Sequence, residues 1–174
     1  TGRDVEIATA SYGQGISMTP VQTVRALATL ANGGRLITPH IVNSIEYSDG
    51  TSVVPEIATQ SQQILKKETT DDVTRMLVKV VDTALKKGAA KKEHYSIAAK
   101  TGTAQIADPK NGGYYSDRYL HSFFGYFPAY NPKFIVFLYH VYPKGAEYAS
   151  ETLTDPFMEL AQFLINYYEI PPDR

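Results

Sequence analysis

Tyr95-Ser96-Ile97-Ala98-Ala99-Lys100-Thr101-Gly102-Thr103-Ala104-Gln105 is the stretch whose reading decides the fold. The helical periodicity of the preceding residues stops here, and the run reads as a strand. His121–Phe127 and Phe134–Tyr142 read as two more. Asn131-Pro132 between them predicts a short antiparallel connection. Between the first two strands, Ala107–Leu120 is rich in Asp, Gly, Asn and Tyr and reads as a long polar loop. Phe134-Ile135-Val136-Phe137-Leu138 is apolar at every position. Such a strand expects cover on both faces and a neighbour on each side. One neighbour is His121–Phe127. Either the extended segment Leu36–Glu46 supplies the other, or that partner lies outside this sequence.

Helices flank the strands. Thr19-Pro20-Val21-Gln22 carries a capping residue, a proline suited to the first helical position and a glutamine three residues after the cap. Val24, Leu27, Ala28 and Ala31 give that helix an apolar face, and Asn32-Gly33-Gly34 ends it. Tyr47-Ser48-Asp49-Gly50 predicts a turn. A second helix places Val73, Met76, Leu77, Val80, Val81, Ala84 and Leu85 on one stripe, with Thr70 as its cap and Lys86-Lys87-Gly88 as its end. A last helix opens at Asp155-Pro156, presents Phe157, Leu160, Ala161, Leu164 and Tyr168, and stops at Pro171-Pro172. The class is α/β of the α+β type: an antiparallel sheet of about three strands with helices packed on it.

Composition narrows the function. The 174 residues fit a single unit, 1–174, large enough to bury a core without disulfide or metal. At 43% hydrophobic and 20% charged, the chain is neither disordered nor fibrous. A net charge of −1 leaves no cationic excess for phosphate backbones, so nucleic acid is not an expected partner. With no cysteine, thiol nucleophiles and thiolate metal sites are excluded. His40, His94, His121 and His140 stand too far apart for ligand spacing, and no metal or cofactor is expected. No apolar stretch reaches the length of a bilayer span. The opening Thr1-Gly2-Arg3-Asp4 has no Met and leads into a polar, glycine-bearing stretch, which reads as a boundary inside a longer chain.

Lys100-Thr101-Gly102-Thr103 is the sharpest chemical motif. Lysine supplies a cation, the threonine hydroxyls supply donors and acceptors, and glycine removes a side chain that would block a ligand. A strand edge adds unpaired backbone groups beside which an extended peptide can lie. Lys-Thr-Gly is also a signature of serine penicillin-recognising enzymes. Its surroundings extend that likeness. Gly13-Gln14-Gly15, Thr19-Pro20-Val21-Gln22, Asn32-Gly33-Gly34, Ala99–Gln105, Ser122–Ala129 and Asn131-Pro132-Lys133 stand in the order and spacing of one family. The chain resembles the C-terminal part of the transpeptidase domain of class B penicillin-binding proteins. The likeness is thinnest over Ser52–Lys67.

The resemblance implies a serine enzyme that is acylated by a D-Ala-D-Ala stem peptide and deacylated by the amine of a neighbouring stem, cross-linking peptidoglycan. Lys100 would hold the substrate carboxylate and bias proton transfer. Thr101 and Thr103 would hydrogen-bond the carboxylate, and Gly102 would allow close approach. The Thr103 N–H would be one of two oxyanion-hole donors, each worth about 10²–10³ in rate. β-Lactams would bind the same wall. The resemblance also implies an extracytoplasmic location, with membrane attachment only through an anchor outside this chain.

One departure is large. No Ser has Lys three residues on, and no Ser-x-Asn occurs. In the family both motifs precede the segment seen here, so the chain is expected to supply half a cleft and to be inactive alone. The alternatives are a D,D-carboxypeptidase or β-lactam-sensing domain of the same superfamily, and a non-catalytic module whose sheet edge binds a partner strand. A phosphate loop is rejected, because it needs glycines where Ala99 and His94 stand. Gly13-Gln14-Gly15 fails as a dinucleotide fingerprint at Met18. Tyr114, Tyr115 and Tyr119 are expected to rim a cleft or to pack a loop. Lys86, Lys87, Lys91 and Lys92 read as a solvated helix end. His121 follows the loop and opens the strand next to the motif, which singles it out among the four histidines.

Overall fold

The structure, a computed structural model, describes residues 2–55 and 61–174. Thr1 and part of the Ser52–Lys67 stretch lie outside the described residues. The elements run α1 (Gly2–Ala10), α2 (Pro20–Ala31), β1 (Arg35–Leu36), β2 (Ile45–Glu46), β3 (Ser52–Val53), β4 (Gln62–Gln63), α3 (Lys67–Lys79), β5 (Ala98–Ala107), β6 (Tyr114–Phe127), β7 (Phe134–Val141), α4 (Ala149–Thr152) and α5 (Thr154–Tyr167).

β5, β6 and β7 form one antiparallel sheet in that order. Its register sets two faces, because side chains alternate and paired residues share a side. Ala99, Phe123, Phe127, Val136 and Leu138 face α5 and bury Phe157, Ala161 and Ile165. Ala98, Tyr126 and Ile135 face α3 and α2, meeting Leu77, Val78, Leu30 and Ala31. Phe157 stacks on Phe123 at 4.5 Å and meets Phe127 edge-on. Burying such a ring contributes about 2–3 kcal/mol. Gly125 makes the stack possible: a Cβ there would lie 2.5 Å from Phe157 Cζ and 2.8 Å from Ala99 Cβ.

α2 forms as its sequence predicts. Thr19 Oγ1 accepts the Gln22 N–H at 3.2 Å, and Gln22 Oε1 accepts the Thr19 N–H at 2.8 Å. Asn32 then bridges to Arg35 in both directions, and Gly34, at φ 93°, passes where a Cβ would lie 2.1 Å from Leu65 O.

Several expectations are corrected. The N-terminal residues form the helix α1, and the polar, glycine-bearing stretch expected to open the chain is the turn that follows it. The Leu36–Glu46 segment is regular only at its ends. β1 pairs with β4, and β2 pairs with β3 across the Tyr47–Gly50 turn, so the segment does not flank β7. The α3 helix starts at Lys67, which puts Thr70 inside its first turn, where its hydroxyl donates to Lys67 O at 2.8 Å. The buried face of α3 includes Thr74 and Val78, whereas Met76 is 65% exposed. Hydroxyls that bond locally can occupy a core-facing stripe, and the apolar pattern alone missed them. α3 continues through a π turn and ends in a 3-10 turn, with Lys86, Lys87 and Gly88 at positive φ.

The predicted long loop is mostly strand, because β6 starts at Tyr114. A tight Asp108–Gly113 turn makes this possible. The Asp108 carboxylate accepts the N–H groups of Lys110 and Asn111, and Gly112 and Gly113 take positive φ. Asp155 lies in the first turn of α5 and does not cap it, since the helix begins at Thr154 directly after α4. Ile165, not the exposed Tyr168, completes the buried face of α5.

Candidate active site

Lys100-Thr101-Gly102-Thr103 lies within β5, and among the described residues β5 is an edge strand. Lys100 is exposed, and its Nζ donates to Thr101 O at 2.8 Å. That contact fits a carbonyl lying off the sheet. The ladder explains why it does. The Tyr142 N–H bonds Tyr119 O at 2.8 Å, so Tyr119 addresses the β7 side. Residues of an antiparallel strand alternate the side to which they present N–H and C=O. Leu120, Ser122 and Phe124 therefore address β5, pairing with Ala104, Gly102 and Lys100. Thr101 and Thr103, opposite Phe123 and His121, direct their N–H and C=O groups off the free edge. The motif thus presents an ammonium and alternate backbone donors and acceptors on one rim.

The side chains divide between the two faces. Lys100 and Gly102 share the α3 side, and Thr101 and Thr103 share the α5 side. Gly102 has a structural reason of its own, because a Cβ there would lie 2.6 Å from Ser122 Oγ. The Ser122 hydroxyl donates to Gly102 O at 3.4 Å, and Gly125, not a lysine, stands three residues on. Thr103 Oγ1 accepts the Ala149 N–H, the first amide of α4, at 3.0 Å.

Sequence reasoning missed α4 and its approach to the motif. Its one signal is Glu151, three residues after Tyr148, whose carboxylate accepts the N–H groups of Tyr148 and Glu147 at 2.9 and 3.2 Å. Without Ser or Thr at the cap the pattern is only half a capping box. Glu147, by hydrogen bond and then by charge, pushes the Tyr148 phenol up from its ordinary range.

His121 is fully buried, with both ring nitrogens bonded. Tyr115 carries the Arg118 guanidinium 3.9 Å from its ring centre. Tyr114 is exposed, and the Tyr119 hydroxyl donates to Ser116 O at 3.1 Å, so the tyrosines pack and edge the β5–β6 hairpin. Lys86 pairs with Asp155 at the exposed end of the α3 segment. Among the described residues no three His, Asp or Glu side chains stand together as a metal would require, and no helix is long and apolar enough to cross a membrane.

Comparison with known proteins gives a consistent result. The family model of the penicillin binding protein transpeptidase domain matches residues 1–160. The stage V sporulation protein D of Bacillus subtilis is 34% identical over 88% of this chain and 24% of its own. Penicillin-binding protein PbpB of Mycolicibacterium smegmatis is 33% identical over 91% of this chain and 26% of its own. The crystal structure of penicillin binding protein 3 from Mycobacterium tuberculosis, complexed with aztreonam, superposes with a TM-score of 0.83 at 26% identity. It covers 96% of this chain and 39% of that one. The chain therefore spans about a quarter of the length of these curated relatives. With the edge strand, its motif and the matched fold together, the chain belongs to the penicillin-binding protein transpeptidase family.

Proposed function

We propose that residues 1–174 are the C-terminal portion of one transpeptidase domain and form the Lys-Thr-Gly wall of a serine D,D-transpeptidase cleft. The observation that carries this is the free β5 edge, with Lys100 exposed and the Thr103 N–H directed off the sheet.

In this reading the nucleophilic serine and its lysine come from residues of the protein outside this sequence. The serine oxygen attacks the carbonyl of the penultimate D-Ala, and the terminal D-Ala leaves as the amine. The acyl group then passes to the amino group of a second stem. Lys100 holds the substrate carboxylate and favours the proton transfers. The Thr101 and Thr103 hydroxyls bond that carboxylate, and the Thr103 N–H stabilises the oxyanion, a donor worth about 10²–10³ in rate. A β-lactam acylates the same serine, in keeping with the aztreonam complex of the mycobacterial relative. The protein works outside the cytoplasmic membrane, anchored by a segment that is not part of this sequence.

Fluorescent penicillin labelling tests the reading. The full-length protein should form a covalent band, and Lys100→Ala should abolish it. The Lys100 side chain is exposed, so its loss should shift stability by no more than about 0.5 kcal/mol. The isolated chain should not label. Unchanged labelling of Lys100→Ala, or a covalent band on the isolated chain, would refute the assignment.

A further inference from the structure

We propose that His121 is a positioning residue for Thr103, acting by clamping α4 over the end of β5; the proposal rests on the transpeptidase reading above. His121 and Thr103 are direct cross-strand partners on the same face of the sheet. The ladder makes theirs a pair without mutual backbone bonds, the kind whose side chains stand closest. The imidazole is 0% exposed. Its Nε2 lies 3.0 Å from Glu147 O, and its Nδ1 lies 2.8 Å from Thr152 Oγ1. A carbonyl only accepts, so Nε2 carries a proton and donates. In the neutral ring Nδ1 then accepts from the Thr152 hydroxyl at 2.8 Å, a closer acceptor than that hydroxyl's alternative, Ala149 O at 3.5 Å.

The two bonds fasten both ends of Glu147–Thr152. The residue held between them is Ala149, itself fully buried, whose N–H donates to Thr103 Oγ1. One lone pair of that oxygen is thereby taken. The Thr103 O–H and the second lone pair are left for a ligand along the free edge. A core histidine that merely filled space would need neither polar contact. Here both nitrogens are spent on the one segment that orients the hydroxyl, and a sheet residue touching no ligand can in this way set the direction of a binding group.

A double-mutant cycle in the full-length protein separates positioning from packing. Thr152→Val removes the partner of Nδ1, and Thr152→Ser keeps it. Thr152→Val and His121→Phe should each lower the second-order rate of acylation by a β-lactam about three- to tenfold, the value of one or two neutral hydrogen bonds. Thr152→Ser should stay within about twofold of wild type, a change well below one such bond. In a Thr103→Val background, which lacks the hydroxyl, neither substitution should lower the rate further. Full additivity in that background, or a wild-type rate in Thr152→Val, would overturn the proposal. If His121→Phe fails to fold, the Thr152 pair decides the question alone. If the wild-type protein forms no acyl-enzyme, the transpeptidase reading falls first. The clamp is then read from amide exchange at Ala149 in the full-length protein, which should be slow in wild type and faster in Thr152→Val. Equal exchange in the two would overturn the clamp.

Discussion

The sheet and the N-terminal third of the chain are built on opposite terms. Where β5 and β6 meet α5 and α3, four large side chains are sealed: Phe123, Phe127, Tyr126 and Phe157 are all fully buried. Among residues 4–55 only Ala28, Thr29 and Gly34 are buried, whereas Val5, Ile7, Val21, Ile41 and Val54 stand open. There the structure is local: a capping box, an Asn32 bridge and a two-residue hairpin. Ile16 and Met18 border an open apolar groove against Phe137 and Tyr139 of β7 without closing it. Rigidity is therefore unevenly distributed. The strand that carries the Lys-Thr-Gly motif belongs to the sealed body, which is where a site needing fixed backbone donors is best supported.

The largest effect should come from attacking each region at its apolar side chains. Phe157→Ala empties a ring site between Phe123 and Phe127 and should cost about 3–5 kcal/mol. Val21→Ala, at a residue 61% exposed in α2, should change stability by less than about 0.5 kcal/mol. Urea denaturation of the two variants measures the contrast. Equal losses would mean that the N-terminal third shares the core, and the comparison would fail.

The contrast also explains what the sequence made legible. α5 was readable because a sealed region imposes its burial period on the side chains, β7 because its apolar run is unbroken although its residues are only half-buried or exposed, and α2 because its caps are local chemistry. The length of β6 was not. Its polar outer part, Tyr114 to Tyr119, stays extended beyond the apolar core across a register shift between Gln105 and Ala107, and polarity hid it. The motif Lys100–Thr103 was legible as residues, as a strand and as an expected sheet edge, but which of its residues address that edge depends on the pairing with β6, a long-range fact. α4 was invisible because Tyr148 is a poor cap signal and because Ala149 joins the site through its backbone. His121 stood out only as a neighbour of the loop; its burial follows from α4, which no local pattern announced.

A smaller effect should mark the seam where α3 meets the sheet. The Tyr126 hydroxyl bonds Thr74 Oγ1 at 2.7 Å, deep in the interface. Tyr126→Phe leaves that threonine oxygen to its own helix and should cost about 1 kcal/mol. Burial, set against the Thr74 bond, pushes the Tyr126 phenol above its ordinary range. A raised value means that the fold favours the neutral phenol. Its contribution is complete below the unfolded value and is lost as pH rises through the folded one. The alkaline limb of a stability–pH curve should therefore flatten in Tyr126→Phe, and an unchanged limb would assign the loss to other groups.

The smallest effect compares two turns of the same chemistry in the two regions. Asp49 accepts the N–H and the hydroxyl of Thr51 in the β2–β3 turn. Asp108 accepts from the Asn111 side chain and from the N–H groups of Lys110 and Asn111 in the β5–β6 turn. These bonds hold both carboxylates below the usual range, led by the Thr51 hydroxyl for Asp49 and by the Asn111 amide for Asp108. A depressed value means that the charged form is favoured in the fold. The contribution is present above the unfolded value and is lost as pH falls through the folded one. Both aspartates should therefore titrate below an unfolded-peptide control in an NMR pH series. The consequences should differ. β2 and β3 have two paired residues each and no buried side chain, so protonating Asp49 should release the whole hairpin. β5 and β6 are paired from Ala98–Tyr126 to Gln105–Tyr119 over a sealed core, so protonating Asp108 should disturb only residues 108–113. Amide shifts that spread from Asp108 into Lys100–Thr103 at acid pH would break the comparison, because they would tie the motif strand to its turn and not to its core.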